Sequence, residues 1–170
     1  SAIRRGAPVL AEIRGYGCTN DAYHLIAPDP QGRGAAESIR LALDDAGLGP
    51  AGIDYANAHG TGTVRGDIAE TRAMRLALGD RAEAVPISST KSMLWHSMGA
   101  SGALEVVACV QTLKTGVIHP TINLDTPDPL CDLDYVPNEA RAVSVRAVLK
   151  SSFGFGGHNA SLVLASPETV

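Results

Sequence analysis

A histidine at the end of a short predicted strand is the first candidate for chemistry. His59 lies in the run Asn57-Ala58-His59-Gly60-Thr61-Gly62-Thr63. The two glycines would let the backbone approach a ligand closely, and Thr61 and Thr63 place hydroxyl groups beside the imidazole. Because ligands bind at strand ends in open α/β sheets, this run predicts a binding or catalytic site. An ordinary loop histidine in a Gly/Thr turn is the alternative interpretation.

A second candidate combines a lysine, a histidine and a carboxylate. Lys91 and His96 lie just before a predicted helix over residues 99–113, and Glu105 lies inside that helix among apolar residues. At a helix start, a neutral imidazole that donates a hydrogen bond is expected. A buried carboxylate needs a cation, and Lys91 is the nearest plausible one. A structural Lys–Glu pair with a capping histidine is the alternative.

A glycine-rich turn near the end of the chain is the third candidate. Residues 154–157 read Gly-Phe-Gly-Gly, and Phe153 and Phe155 are the two phenylalanines of the whole chain. The turn lacks the Lys-Ser/Thr ending of a phosphate-binding P-loop. It therefore predicts either a mobile apolar gate or a tight hairpin with core anchors.

The elements that would position these residues alternate between strand and helix. The hydrophobic pattern predicts strands at 8–17, 53–58, 84–89, 145–152 and 160–165, and helices at 34–46, 67–78 and 99–113. This order indicates an α/β fold, with one domain over residues 1–170. The third helix is apolar on most sides, which is typical of a helix buried in a larger body. The chain therefore resembles half of a layered α/β protein.

Composition excludes several functional classes. The chain has 170 residues, a formal charge of −4 and 45% hydrophobic residues, so we expect a globular domain without a basic surface for nucleic acid. No apolar run is long enough for a membrane span, and the first residues lack the apolar core of a signal peptide. The three cysteines have no CxxC spacing, no Cys/His cluster predicts a metal, and His24 and His119 are interpreted as loop residues. A cytoplasmic location is expected.

Taken together, three segments resemble one family. They are the His59 run, then Ser89-Thr90-Lys91-Ser92-Met93-x-x-His96, then Ser152-Phe153-Gly154-Phe155-Gly156-Gly157-x-Asn159. In this order they resemble the C-terminal half of a β-ketoacyl-acyl carrier protein synthase of fatty acid or type II polyketide synthesis. The resemblance covers about residues 8–165. It implies a thiolase-like fold with layers α-β-α-β-α built from two similar halves, of which this chain supplies the second.

The resemblance also implies roles for individual residues. His59 and His96 fall on the two histidines that decarboxylate malonyl-carrier protein and hold the enolate. Lys91 matches the active-site lysine, Glu105 its buried partner, and Asp67 an acidic residue of the same network. The remaining matches are to residues that contact the substrate. Thr61 and Thr63 match threonines that contact the pantetheine arm, Phe155 matches the gating phenylalanine, and Phe153 lies beside it. No cofactor is implied, because the substrate arm is the 4'-phosphopantetheine of acyl carrier protein.

Two main departures and a milder one qualify the resemblance. The family's nucleophilic cysteine is absent, since Cys18, Cys109 and Cys131 lie in other contexts. Either the synthase is split into two polypeptides, or this chain is a cleaved or truncated piece whose partner half lies elsewhere. In both cases we expect an N-terminal half on another polypeptide to supply the cysteine, and the complete unit to form a homodimer or heterodimer. Trp95 stands where the family usually has glycine, so its indole is expected to narrow the pocket, shift the helix start or exclude long acyl chains; His158 replaces a common threonine.

Two other interpretations remain open at this point. One is a non-catalytic partner resembling the chain-length factor of polyketide ketosynthase pairs. The retained His59 and His96 count against it, and Trp95 favours it weakly. The other is a thiolase-like relative that acts on coenzyme A thioesters.

Overall fold

The computed structural model describes residues 3–167 and has a mixed α/β fold. Within these residues, seven strands and four α-helices are connected by loops and four short 3-10 turns. The strands are β1 Glu12–Asn20, β2 Tyr55–Asn57, β3 Ile87–Ser88, β4 Val117–Ile118, β5 Arg141–Ala142, β6 Ala147–Gly154 and β7 His158–Ala165. The helices are α1 Arg33–Ala46, α2 Val64–Leu78, α3 Lys91–Leu94 and α4 Ser101–Thr115.

Five of the strands form one sheet in the order β1-β7-β6-β2-β3. The pairs β1–β7 and β7–β6 are antiparallel, whereas β2 is parallel to both β6 and β3. Strands β4 and β5 form a separate antiparallel ladder. The predicted alternation of strands and helices is therefore confirmed, although β1 begins later than predicted and β2 and β3 are shorter.

Two apolar clusters cover the two faces of the large sheet. Ile39 of α1, Met74 of α2 and Leu149 of β6 belong to one cluster. On the other face, Cys109 of α4 packs in a cluster with Tyr55 of β2. Since side chains alternate along a strand, neighbouring residues of β2 and β6 reach opposite clusters.

Two glycines of β1 allow α1 to lie directly against the strand. A β-carbon at Gly15 would come 2.1 Å from the carbonyl oxygen of Ala42, and one at Gly17 would come 2.0 Å from that of Ser38. Both contacts are far below any allowed separation. The α1–β1 packing is therefore a backbone-to-backbone contact that a larger residue would break.

Helix α4 buries one side only. Glu105 and Cys109 are buried against the sheet, whereas Leu104 is exposed and Val107 is 59% exposed. The sequence predicts that this helix is buried in a larger body, and the described residues 3–167 cover only one side of it. Its outer face would have to be covered by the rest of such a body.

Trp95, which follows α3, has an unusual backbone conformation. Its φ of 62° and ψ of 175° place it in a region that is essentially reserved for glycine. The side chain is 86% exposed, so packing of the indole does little to offset the strain. A residue other than glycine in such a region destabilises the fold by about 1–3 kcal/mol.

The substitution Trp95→Gly is therefore expected to stabilise the protein. Relief of strain should raise the free energy of unfolding by about 1–2 kcal/mol, after allowing for the flexibility that glycine adds to the unfolded chain. Urea denaturation followed by circular dichroism measures the change. Trp95→Ala is the matched control, because alanine keeps the β-carbon. Equal unfolding free energies for the two variants would contradict the strain argument.

Candidate active site

Two histidine rings face each other where β2 ends. The ring centroids of His59 and His96 lie 5.5 Å apart with the planes at 86°, and the ring of Phe153 lies 5.7 Å from that of His59. The backbone N–H groups of His59 and Gly60 donate to the two carboxylate oxygens of Glu70, each at 2.8 Å. Glu70, which sequence analysis missed, therefore fixes the loop that presents His59.

The His59 imidazole is held in its neutral form. Burial is the largest of several causes that together lower its pKa from 6.5 to about 3; the others are the positive charges of Lys91 and Lys150 and the nearby ring of His96. Its Nδ1 is buried and has no hydrogen-bond partner among residues 3–167. A neutral imidazole that lines a cavity can donate or accept a hydrogen bond there.

His96 lies in the connection before helix α4, as the sequence predicts, although the helix begins at Ser101, two residues later than predicted. Its Nδ1 lies 3.0 Å from the hydroxyl oxygen of Ser101, which orients the imidazole. The ring is exposed in this chain.

Two buried lysines form ion pairs with the carboxylate of Glu105. Lys91 Nζ donates to Oε1, which is the pair expected from the sequence, and Lys150 Nζ lies 2.7 Å from Oε2. Lys150 was missed because it comes from β6, far along the chain from Glu105. The available signal was its charge, since it is the one charged residue in the otherwise apolar and small-residue strand 147–154.

His119 lies in a loop, as the sequence predicts, but its side chain belongs to a polar cluster that sequence analysis missed. Its Nε2 lies 2.9 Å from Thr90 Oγ1 and 3.2 Å from the Tyr55 hydroxyl, and Asn57 Nδ2 is also within 3.3 Å. Burial lowers the pKa of His119. This polar cluster ties the end of β2, just before His59, to the residue preceding Lys91. A histidine next to Pro120 gives no local signal of such a role.

The other predicted loop histidine, His24, has a local role. It is exposed, and its Nδ1 accepts hydrogen bonds from the backbone N–H groups of Ile26 and Ala27 at 3.0 and 3.1 Å. His24 therefore shapes the turn that follows β1.

Most of the predicted site residues line one cavity of about 450 Å³. It is lined by His59, Thr61, Thr63, Asp67, His96, Phe153 and Phe155. The hydroxyl oxygens of Thr61 and Thr63 lie 3.0 Å apart, and burial raises the pKa of Asp67 against the opposing effect of nearby backbone N–H groups. Phe155 is largely exposed on the β6–β7 turn. Glu105 is buried behind the cavity and does not line it.

A second, larger groove of about 820 Å³ lies beside the first. Lys91 and Trp95 line this groove, and Thr61, Asp67 and His96 border both spaces. The Trp95 indole lines this groove and not the 450 Å³ cavity, and its effect on the substrate pocket of the complete enzyme stays a prediction.

None of the three cysteines lines the histidine cavity. Cys18 is exposed on β1, and Cys131 is half-buried beside the larger groove. Cys109 is buried in α4, where burial raises the pKa of its thiol to about 12 and keeps it protonated. The cavity therefore contains acid–base and hydrogen-bonding groups without a nucleophilic sulfur from this chain.

The part of the chain that the structure describes contains no group of three or more His, Cys, Asp and Glu side chains arranged to hold a metal ion. No helix among the same residues is long and apolar enough to cross a membrane.

Known proteins share both the sequence and the fold. Residues 10–125 match the family described as "Beta-ketoacyl synthase, C-terminal domain". A 3-oxoacyl-[acyl-carrier-protein] synthase 2 of Synechocystis is 52% identical over 162 residues, which are 95% of this chain and 39% of that protein. The chain thus spans about two fifths of the length of this curated relative.

Two solved structures show the same fold. A type II polyketide ketosynthase, in complex with its acyl-carrier protein and bound to a hexaketide, superimposes with a TM-score of 0.95 at 40% identity and covers 98% of this chain and 41% of its own. The ishigamide ketosynthase/chain length factor gives a TM-score of 0.93 at 46% identity over 98% of this chain and 40% of its own. The fold is the thiolase-like α/β fold of ketosynthases, and the chain belongs to the family of β-ketoacyl synthase C-terminal domains.

Proposed function

We propose that this chain is the C-terminal part of a β-ketoacyl-acyl carrier protein synthase. The complete enzyme would condense malonyl-acyl carrier protein with an acyl thioester, with loss of CO2. The observation that carries the proposal is the His59–His96 pair, whose rings face each other at 5.5 Å on the wall of one cavity.

The reaction develops negative charge on the thioester oxygen, to which the two imidazoles could donate hydrogen bonds. When malonyl thioester loses CO2, the electron pair of the broken C–C bond moves into an enolate with charge on the thioester oxygen. N–H groups of His59 and His96 would donate to that oxygen, and each such donor contributes about 2.7–4 kcal/mol. The enolate carbon then attacks the cysteine-bound acyl group, and the cysteine thiolate leaves as the new C–C bond forms.

The neighbouring residues would bind the substrate arm and set the electrostatics. The Thr61 and Thr63 hydroxyls line the cavity, as contacts to a pantetheine arm require, and Phe153 and Phe155 give it apolar walls. Lys91, held by Glu105, places positive charge near His59 and so favours its neutral form. Asp67 borders both the cavity and the groove, where it would support the same polar network.

The nucleophilic cysteine would come from an N-terminal half on another polypeptide. Two observations support this: none of this chain's cysteines lines the cavity, and α4 carries an exposed apolar face with Leu104 and Val107. The curated relatives are also more than twice as long as this chain. We propose that the complete unit forms a homodimer or heterodimer, takes its substrates from acyl carrier protein and acts in the cytoplasm.

A non-catalytic partner resembling a chain length factor is the second candidate. One observation in its favour is the similarity to the ishigamide ketosynthase/chain length factor. The pair of facing imidazoles supports the catalytic function instead, because a tunnel-shaping partner needs neither ring.

The substitution His96→Ala tests the catalytic proposal. With the cysteine-bearing half present, the variant should release CO2 from malonyl-acyl carrier protein at least about tenfold more slowly, because one donor to the enolate oxygen is lost. Release of labelled CO2 measures the rate, and circular dichroism checks the fold. A variant as fast as the parent enzyme would remove His96 from the mechanism.

The protonation state of His59 gives a second test. Since its pKa is lowered to about 3, the ring should stay neutral as the pH falls through 6.5, where an ordinary histidine gains a proton. NMR titration of histidine-labelled complete enzyme, with His59→Asn used to assign the signal, measures this. A midpoint near 6.5 for the assigned signal would show that the imidazole is not held neutral.

Native mass spectrometry tests the two-part arrangement. Protein purified under native conditions should contain this chain bound to a second polypeptide that carries a reactive cysteine. Iodoacetamide should modify that cysteine and abolish condensation. A single polypeptide that contains both halves would refute the split while leaving the reaction unchanged.

A further inference from the structure

The second lysine on Glu105 is an unusual feature of the buried site. Lys150 is only 3% exposed, and its ammonium group lies 2.7 Å from Glu105 Oε2. We propose that Lys150 is a positioning residue that sets the charge of the condensing site, by leaving one unbalanced positive charge behind His59 that stabilises the enolate. The inference rests on the proposed function and adds to it a residue outside the resemblance.

The charge balance of the buried cluster carries the argument. Lys91 and Lys150 each bind a different oxygen of the single carboxylate of Glu105, so two positive charges face one negative charge. Pairing the carboxylate requires one lysine only, and burying a further ammonium group is unfavourable. A second buried cation would stabilise the negative charge that develops during the reaction, which would explain its presence.

Two other carboxylates near the site offset this surplus only in part. Glu70 is buried and lines the same cavity, and burial raises its pKa to about 7 despite two backbone N–H donors. Burial also raises the pKa of Asp67. Both acids therefore take up protons more readily than exposed carboxylates, which weakens their negative charge near the site.

The Lys150 side chain is fixed in place directly behind the cavity wall. Its Nζ donates to the carbonyl oxygen of Ser151 at 3.0 Å and to the hydroxyl of Ser152, in addition to its contact with Glu105. Ser152 itself lines the histidine cavity. Lys150 also pairs in register with Asn57 of β2, two residues before His59. The ammonium is thus one hydrogen bond away from the cavity.

The groups around Lys150 set the pH at which it acts. They are Glu105 and Cys109 from α4 and Lys91 from α3. Its charge also reaches His59 after β2. Burial and the charge of Lys91 lower the pKa of Lys150, whereas Glu105 opposes the shift. Lys150 should therefore lose its proton below the pH of an ordinary lysine, and the surplus charge would disappear on the alkaline side.

Substitution of Lys150 in the complete enzyme tests the inference. Lys150→Met should lower kcat for decarboxylation by at least about tenfold with KM for malonyl-acyl carrier protein little changed, because the charge acts on the enolate. Acylation of the cysteine forms no enolate and should be retained. Lys150→Arg should preserve most of the rate and move the alkaline limb of the pH profile upward. Arg40→Met, an exposed change on α1, is the matched control.

The outcomes separate the inference from the proposed function. No CO2 release by the unsubstituted complete enzyme overturns the proposed function. If the unsubstituted enzyme and Lys150→Met release CO2 equally fast, the role of Lys150 is overturned and the proposed function stands. A Met variant that loses acylation and decarboxylation to the same extent also overturns that role, since this indicates structural damage. If the Met variant does not fold, an unshifted alkaline limb in Lys150→Arg decides against the inference.

Discussion

The buried carboxylate of Glu105 is the constraint on which the site depends. It lies on the inner side of α4, and its two oxygens connect that helix to α3 through Lys91 and to β6 through Lys150. Because a buried charge without a partner would be strongly destabilising, the three elements must keep these positions together. The ion pairs thereby fix the sheet, the helix and the short turn of α3 relative to one another, and the two histidines extend from this framework.

The histidines are held by the framework in different ways. His59 is fixed through its backbone, which donates to Glu70, and its ring is enclosed and neutral. His96 is fixed through its ring, which contacts Ser101, and remains exposed in this chain. Both His96 and the outer face of α4 are exposed among the described residues, and the proposed N-terminal half is the element that would cover them.

Sequence analysis predicted the parts of the site that are encoded locally. The glycines and threonines after His59 form the predicted turn, and the carboxylate at Glu105 indicated a buried cation correctly at Lys91. The strand–helix alternation likewise follows from short-range hydrophobic periodicity. The residues that were missed contact the site through sheet pairing: Lys150 lies beside Asn57 only because β6 and β2 are neighbours, and His119 meets Thr90 across a long connection. Chain spacing contains no information on such pairings.

The uncovered face of α4 has a consequence for synthesis of the proposed two-part enzyme. A copy of either part without its partner would expose an apolar surface to solvent and would tend to aggregate. Balanced production of the two polypeptides is then a physical requirement of the architecture, and translation of both at one place would satisfy it most directly.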